Sequence, residues 1–79
     1  MPRSAYSRKY SEFRARLVRA RRDAQLTQAV LARRLGRPQS FVSKFERGER
    51  RLDVVEFIEI ARILGLDPMQ VVKDLIRSS

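Results

Sequence analysis

Polar and cationic side chains fall on one side of a short segment near the middle of the chain. Residues 38–47 read PQSFVSKFER, and Gly48 follows them. Pro38 has a fixed φ that suits the first turn of a helix. At about 100° per residue, a helix places these side chains in one arc: Gln39, Ser40, Ser43, Lys44 and Arg47. The opposite arc holds Phe41, Val42 and Phe45. One face is therefore expected to pack, while the other can donate and accept hydrogen bonds and attract anions.

The residue types that serve most enzymes and metal sites are missing. The chain has no histidine and no cysteine, which removes the usual general base, the usual zinc ligands and any disulfide. Paired acids such as Glu56 and Glu59 have no metal ligand beside them, and we interpret them as a solvated helix face. We expect a binding protein and not an enzyme, with no metal and no cofactor.

The formal net charge of +9 is distributed unevenly. Residues 1–51 contain fifteen Lys and Arg against four acids, whereas residues 52–79 contain three against five. A strongly positive side attracts polyanions from a distance and concentrates them at the surface. Charge alone leaves open the alternative that the arginines only solvate helices.

Hydrophobic periodicity and capping residues predict five helices, and hence an all-α fold in a single domain spanning 1–79. The predicted helices run from 8 to 23, from the Thr27 cap to Gly36, over 38–47, from Val54 to Leu64, and from Asp67-Pro68 to about Arg77. Asp53 and Glu56 have the spacing of a capping box, and apolar residues nearly encircle the helix that follows. We expect that fourth helix to be the centre of the core. Residues 1–7 are predicted to form a flexible basic arm.

Three stretches resemble the Cro/repressor-type helix-turn-helix family, also called the XRE family. They are LTQxxLAxxLG at 26–36, QSFVSKFERG at 39–48 and IARILGLDP at 60–68. The resemblance covers about residues 17–68 and implies a five-helix, lambda-repressor-like DNA-binding domain with its helix-turn-helix at about 27–47. In such proteins the third helix enters the major groove of DNA and the preceding helix lies across the backbone.

The resemblance also implies which side chains contact double-stranded DNA. Those expected at base edges are Gln39, Ser40 and Ser43. Those expected at phosphates are Gln28, Lys44, Arg47, Arg50 and Arg51, while Arg37 is expected at either. Glutamine suits adenine because its amide presents a donor and an acceptor together. The family also implies an ion pair between Arg21 and Glu46 that joins the first helix to the third.

The sequence departs from the family pattern beside the third helix. Pro38 stands where Ser or Thr commonly caps that helix, so its cap must come from elsewhere or be absent. Arg37 replaces a residue that is usually apolar, either at a cost or for an extra contact.

The expected function is a small transcriptional regulator, with repression the expected role, that binds a two-fold operator as a homodimer. Two copies are expected because one helix-turn-helix reads few base pairs. The predicted dimer surface lies on the last helix and contains Met69, Val71, Val72, Leu75 and Ile76. The alternative for this surface is that it covers the first and fourth helices.

Other classes of function stay open at this stage. The same fold can serve as an antitoxin or another protein-interaction module, with a toxin or polymerase as partner and DNA binding secondary. A nonspecific polyanion or membrane-surface binder is a further alternative, although arginines ring the first helix and leave no wide apolar face. Apolar runs are too short for a membrane span and no signal peptide is visible, so we expect a cytoplasmic protein.

Overall fold

The computed structural model describes residues 7–78. Over this range the chain forms five α-helices and no strand. They are α1 (Arg8–Asp23), α2 (Gln28–Leu35), α3 (Gln39–Glu46), α4 (Val54–Leu64) and α5 (Pro68–Arg77). The predicted all-α fold is confirmed. The third helix is shorter than predicted, because Pro38 is its N-cap and Arg47 its C-cap. Apart from Ser7, the predicted arm lies outside the described residues.

Local sequence explains where most of the helices begin and end. Side-chain oxygens accept a hydrogen bond from a first-turn amide at Ser7 for α1, Thr27 for α2, Asp53 for α4 and Asp67 for α5. Gly36 ends α2 in the left-handed conformation, with φ 71°. A residue with a side chain is strained in that conformation, so glycine is the residue that adopts it with the least strain. The turn leaves only three residues between α2 and α3.

The core takes at least one fully buried side chain from every described helix. These residues are Leu17, Leu31, Val42, Phe45, Ile60 and Val71, each no more than 1% exposed. Because every helix contributes to one cluster, the orientation of each depends on the others.

The fourth helix is less enclosed than the sequence indicated. Phe57, Ile60 and Ala61 are buried, with the spacing of one helix face. Val54, Val55 and Ile58 are 68%, 59% and 39% exposed. The prediction of a nearly encircled core helix is therefore wrong for its first half, because α1, α2 and α5 all pack against the other side.

A buried cluster around the Glu46 carboxylate joins the first three helices. Arg21 of α1 donates to both of its oxygens, from Nε at 2.7 Å and from Nη2 at 3.0 Å. Gln28 of α2 donates from Nε2 to Oε1 at 2.8 Å. Arg21 also donates to the carbonyl of Leu26, in the loop between α1 and α2, at 2.7 Å. The Arg21–Glu46 ion pair that the family resemblance implied is thus present, and Gln28, which was expected at a phosphate, bonds the same carboxylate.

The end of α3 receives a second hydrogen bond from α1. Arg14 donates from Nη1 to the carbonyl of Glu46 at 2.6 Å, which satisfies one of the carbonyls that a helix end leaves open. Gly48 lies directly below this guanidinium, where an added Cβ would be 3.3 Å from it. Its φ of 81° also disfavours any other residue.

A second buried acid, Glu56, lies at the start of α4. Its Oε1 accepts from the Asp53 amide at 3.0 Å, and Asp53 accepts from the Glu56 amide at 2.8 Å, so the predicted capping box is confirmed. Arg50 donates to both carboxylate oxygens and Arg37 donates to Oε2, each at 2.9 Å. Hydrogen bonds from Arg50, the Asp53 amide and Arg37 outweigh burial and lower the pKa of Glu56 to about 2.

Removal of the Glu46 carboxylate should destabilise the fold strongly. Glu46→Ala leaves the Arg21 guanidinium buried without a counter-charge, which costs about 3 kcal/mol or more in the free energy of unfolding. The matched control is Glu49→Ala, which breaks an exposed pair with Arg47 and should leave that free energy nearly unchanged. Urea unfolding of both variants measures the difference, and equal losses would contradict the structural role of Glu46.

The Glu56 cluster predicts a specific loss of stability in acid. The pKa of Glu56 is about 2 in the folded protein against an ordinary value of 4.5. Between these two pH values the unfolded chain binds the proton and the folded protein does not, so stability falls as the pH is lowered. Glu56→Gln lacks this titration, while all other acids are common to both proteins. The excess stability of the wild type over the variant should therefore shrink from pH 4.5 to pH 2. Chemical unfolding at several pH values tests this, and a constant difference would refute it.

Candidate nucleic-acid interface

The two faces of α3 have opposite surroundings. Phe41, Val42 and Phe45 are buried, at 7%, 0% and 1% exposure, so the predicted packed underside is confirmed. On the other face the side chains of Gln39, Ser40 and Lys44 are exposed, and Ser43 is half-buried. This outward side lies over a rigid base, because the buried ring of Phe45 and the Glu46 cluster fix the helix beneath it.

The start of α3 has no side-chain cap. Pro38 is the N-cap, and its ring offers no oxygen to the amides that follow. The Phe41 amide bonds the Pro38 carbonyl at 3.0 Å, which leaves the amides of Gln39 and Ser40 as the open donors of the first turn. The positive end of the helix dipole therefore adds to the two polar side chains expected at base edges.

Two of the residues that are predicted to contact DNA already make hydrogen bonds within the protein. The Ser43 hydroxyl donates to the Ser40 carbonyl at 3.3 Å, so its oxygen remains as an acceptor. Gln28 gives one hydrogen of its amide to Glu46 and keeps the second. Ser43 is therefore left as a hydrogen-bond acceptor, and Gln28 can still donate one hydrogen bond.

The predicted phosphate-binding cations differ in their surroundings. Lys44 is exposed and has no ion pair with any residue in the range 7–78. Arg47 donates to both carboxylate oxygens of Glu49, at 2.9 and 3.2 Å, and this contact raises the pKa of Arg47 and lowers that of Glu49. Arg51 lies over the ring of Tyr10, 4.3 Å from its centroid.

Arg37 and Arg50 converge on the same groups. Each guanidinium lies against the Phe41 ring, at 4.3 Å and 4.9 Å from its centroid, and each bonds Glu56. Arg37, which stands where the family usually has an apolar residue, is therefore accommodated by contacts with an aromatic ring and a buried carboxylate. Its guanidinium still keeps N–H groups that point to no described acceptor, since only Nη2 bonds Glu56.

The interpretation of Glu56 as part of a solvated face is wrong. Glu56 is 7% exposed, whereas Glu59 is exposed as expected. The capping-box spacing was a signal that Glu56 faces the backbone of its own helix start. No local pattern connects it to Arg37 and Arg50, since these come from segments 19 and 6 residues away.

The surface predicted on the last helix also needs correction. Val71 is fully buried and Leu75 is half-buried against the core, because α5 packs on α1 and α4 with that side. Val71 is therefore removed from the predicted dimer surface, and Leu75 has only its exposed part available there. Met69, Val72 and Ile76 remain on the outside, at 67%, 43% and 74% exposure.

Residues 7–78 contain no group of three or more acidic side chains that could hold a metal ion together. None of the five described helices is both long enough and apolar enough to span a bilayer.

Comparisons with known proteins agree with this arrangement. The family model described as a helix-turn-helix domain matches residues 12–72. A solved structure, an XRE-family like protein from Pseudomonas syringae pv. tomato, is 46% identical, covers 92% of this chain and 89% of its own, and superposes with a TM-score of 0.85. The uncharacterized HTH-type transcriptional regulator y4dJ of Sinorhizobium fredii is 36% identical over 55 residues, which are 70% of this chain and 71% of that protein. The chain therefore belongs to the XRE family of helix-turn-helix proteins, as its three spaced sequence stretches predicted.

Proposed function

We propose that this protein binds double-stranded DNA in a sequence-specific manner and regulates transcription, with α3 in the major groove. The observation that carries the proposal is the outward face of α3, which is polar, cationic and exposed over a fully buried underside. The similarity to y4dJ, which is named as an uncharacterized HTH-type transcriptional regulator, supports it. We propose repression as the mode of regulation, because a protein docked on a duplex excludes other proteins from the same site.

Gln39 and Ser40 are proposed to read base edges, because they are exposed at the N-terminal end of α3, and in this family that end of the helix contacts the bases. Gln39 can make a paired contact with adenine. The Ser43 hydroxyl donates its hydrogen to the Ser40 carbonyl, so its oxygen is left as an acceptor. In the major groove it would therefore accept from the amino group of adenine or cytosine.

Phosphate contacts are proposed for the remaining site residues. Lys44 and Arg51 are exposed, and Gln28 has a second amide hydrogen available for a phosphate. Arg47 would exchange its exposed partner Glu49 for a phosphate at small cost, because surface ion pairs are weak. Arg37 and Arg50 would add to this set from within the Glu56 cluster.

A homodimer is proposed for the DNA-bound state. The exposed side of α5 offers Met69, Val72 and Ile76, spaced as one helix face, and two copies would double the number of base pairs read. A protein partner such as a toxin or polymerase is the second candidate role, and the exposed apolar side of α4 at Val54, Val55 and Ile58 favours it. A cytoplasmic location follows from the proposed DNA target.

Selection from random duplex DNA tests the proposed contacts. A two-fold consensus should emerge from the wild-type protein. Gln39→Ala should relax one position of it, losing about 1–3 kcal/mol of discrimination there, because the paired contact is gone. Lys44→Ala should weaken binding to all duplexes alike and reduce the salt slope by about one.

The control for these variants is Arg62→Ala on α4, an exposed cation that belongs neither to the proposed DNA contacts nor to the proposed dimer surface, which should leave the affinity unchanged. Equal affinity of the wild type for every duplex would refute sequence-specific binding. A salt slope that Lys44→Ala leaves unchanged would remove Lys44 from the phosphate contacts.

The dimer surface is tested by placing a charge on it. Ile76→Lys should convert a dimer into a monomer in sedimentation at micromolar concentration, because an ammonium group replaces apolar area at the contact. Val55→Lys is the matched control on the exposed side of α4 and should leave the dimer intact. The half-sites of the selected DNA should then be centred about 34 Å apart. A wild-type monomer, or dissociation by Val55→Lys alone, would contradict a dimer through α5.

A further inference from the structure

We infer that Glu56 is a positioning residue that sets DNA specificity by holding Arg37 and Arg50 as one fixed cationic unit beside α3. This inference rests on the proposed function and deepens it. Glu56 itself is only 7% exposed and is not expected to touch DNA, so it would act through the two arginines.

Arg37 and Arg50 flank α3 in the sequence, and both contact the same side chain of that helix. Arg37 comes two residues before α3, and Arg50 comes four residues after it. Both guanidinium carbons lie within 5 Å of the centroid of Phe41, a buried ring of α3, and both groups bond Oε2 of Glu56 at 2.9 Å. Acid and ring together therefore define where the two cations lie relative to α3.

Each arginine keeps hydrogen-bonding capacity for a ligand. Of the five N–H donors on a guanidinium, Arg37 uses one and Arg50 uses three. Their side chains are 39% and 40% exposed, so the remaining donors can reach solvent or a phosphate. Glu56 thus orients both guanidinium groups and leaves N–H donors on each of them available to a ligand.

Fixed cations and free cations have different effects on specificity. A free arginine can follow a phosphate on any duplex, and such contacts supply most nonspecific affinity. An arginine held in place meets a phosphate only where the backbone passes its position, as it does when α3 is docked in register. The Glu56 charge also offsets one of the two positive charges, which lowers the attraction of the unit for DNA in general. Both effects raise the ratio of specific to nonspecific binding.

Glu56→Gln separates this role from a purely structural one. Glutamine is accepted at this position of a capping box, so the start of α4 keeps its hydrogen bond from Asp53. The carboxylate charge that holds the arginines is lost. Glu59→Gln is the matched control, since it makes the same charge change on the same helix at an exposed acid that bonds no described residue.

The experiment measures the affinity of the wild type and both variants for the selected consensus duplex and for an unrelated duplex, each over a range of salt. Glu56→Gln should raise affinity for the unrelated duplex and steepen its salt slope by about one to two, as one or two extra phosphates are contacted. The ratio of specific to nonspecific affinity should fall about tenfold, the effect of one lost oriented contact. Glu59→Gln should change both affinities by the same factor and keep the ratio.

A second arm asks whether Glu56 acts through its partners. In a background carrying Arg37→Gln and Arg50→Gln, Glu56→Gln should have no further effect on the ratio, because the residues that it positions are absent. An effect that persists there would overturn the inference, as would a Glu56→Gln variant that matches Glu59→Gln. A wild-type protein without any sequence preference would overturn the proposed function and this inference together. A wild-type preference that Glu56→Gln leaves unchanged would overturn this inference alone.

Discussion

The Glu46 carboxylate accepts hydrogen bonds from α1 and α2 while belonging to α3, and the orientation of α3 depends on this arrangement. Desolvation of a buried ion pair offsets much of its attraction, so its net contribution to stability is modest compared with the cost of breaking it. Its geometric effect is larger, because two side chains from different helices must meet one carboxylate. A rotation of α3 would separate Glu46 from Arg21 and Gln28 at once.

The short length of α3 explains why such fixing is needed. An isolated helix of eight residues is not stable in water, and this one lacks a side-chain cap at Pro38. Its conformation must therefore come from its neighbours. Phe41, Val42 and Phe45 supply apolar contact below, Arg14 and the Glu46 cluster hold its end, and the Glu56 unit holds the chain on both sides. Every one of these contacts lies on the inner side or the flanks, which leaves the outer face free for a ligand.

Features of this fold that have a local cause could be predicted from the sequence, whereas features that depend on tertiary contacts could not. Thr27, Gly36 and the Asp53 capping box act within a few residues, so the bounds of α2 and α4 could be predicted. The exposure of Val54 and the burial of Val71 depend on which sides of α4 and α5 meet other helices, and helical periodicity does not contain that information when apolar residues occupy several faces. Similarly, the two faces of α3 were predictable from its own sequence. The pairing of Glu56 with Arg37 and Arg50 required the folded chain.

Seven of the 17 Lys and Arg side chains within residues 7–78 bond groups of the protein itself, which changes what the net charge of +9 means. Arg14, Arg16 and Arg21 of α1 each bond a carbonyl or carboxylate on another helix, and Lys9 bonds carbonyls at the end of α5. Beside α3, Arg37, Arg47 and Arg50 all have acidic partners as well. These side chains are thus neither simple solvation nor part of a uniform polyanion-binding coat. A surface whose cations are held in place loses affinity for DNA in general and keeps it for DNA that presents phosphates at matching positions. The same ion pairs that assemble this small core can therefore favour selective over indiscriminate binding.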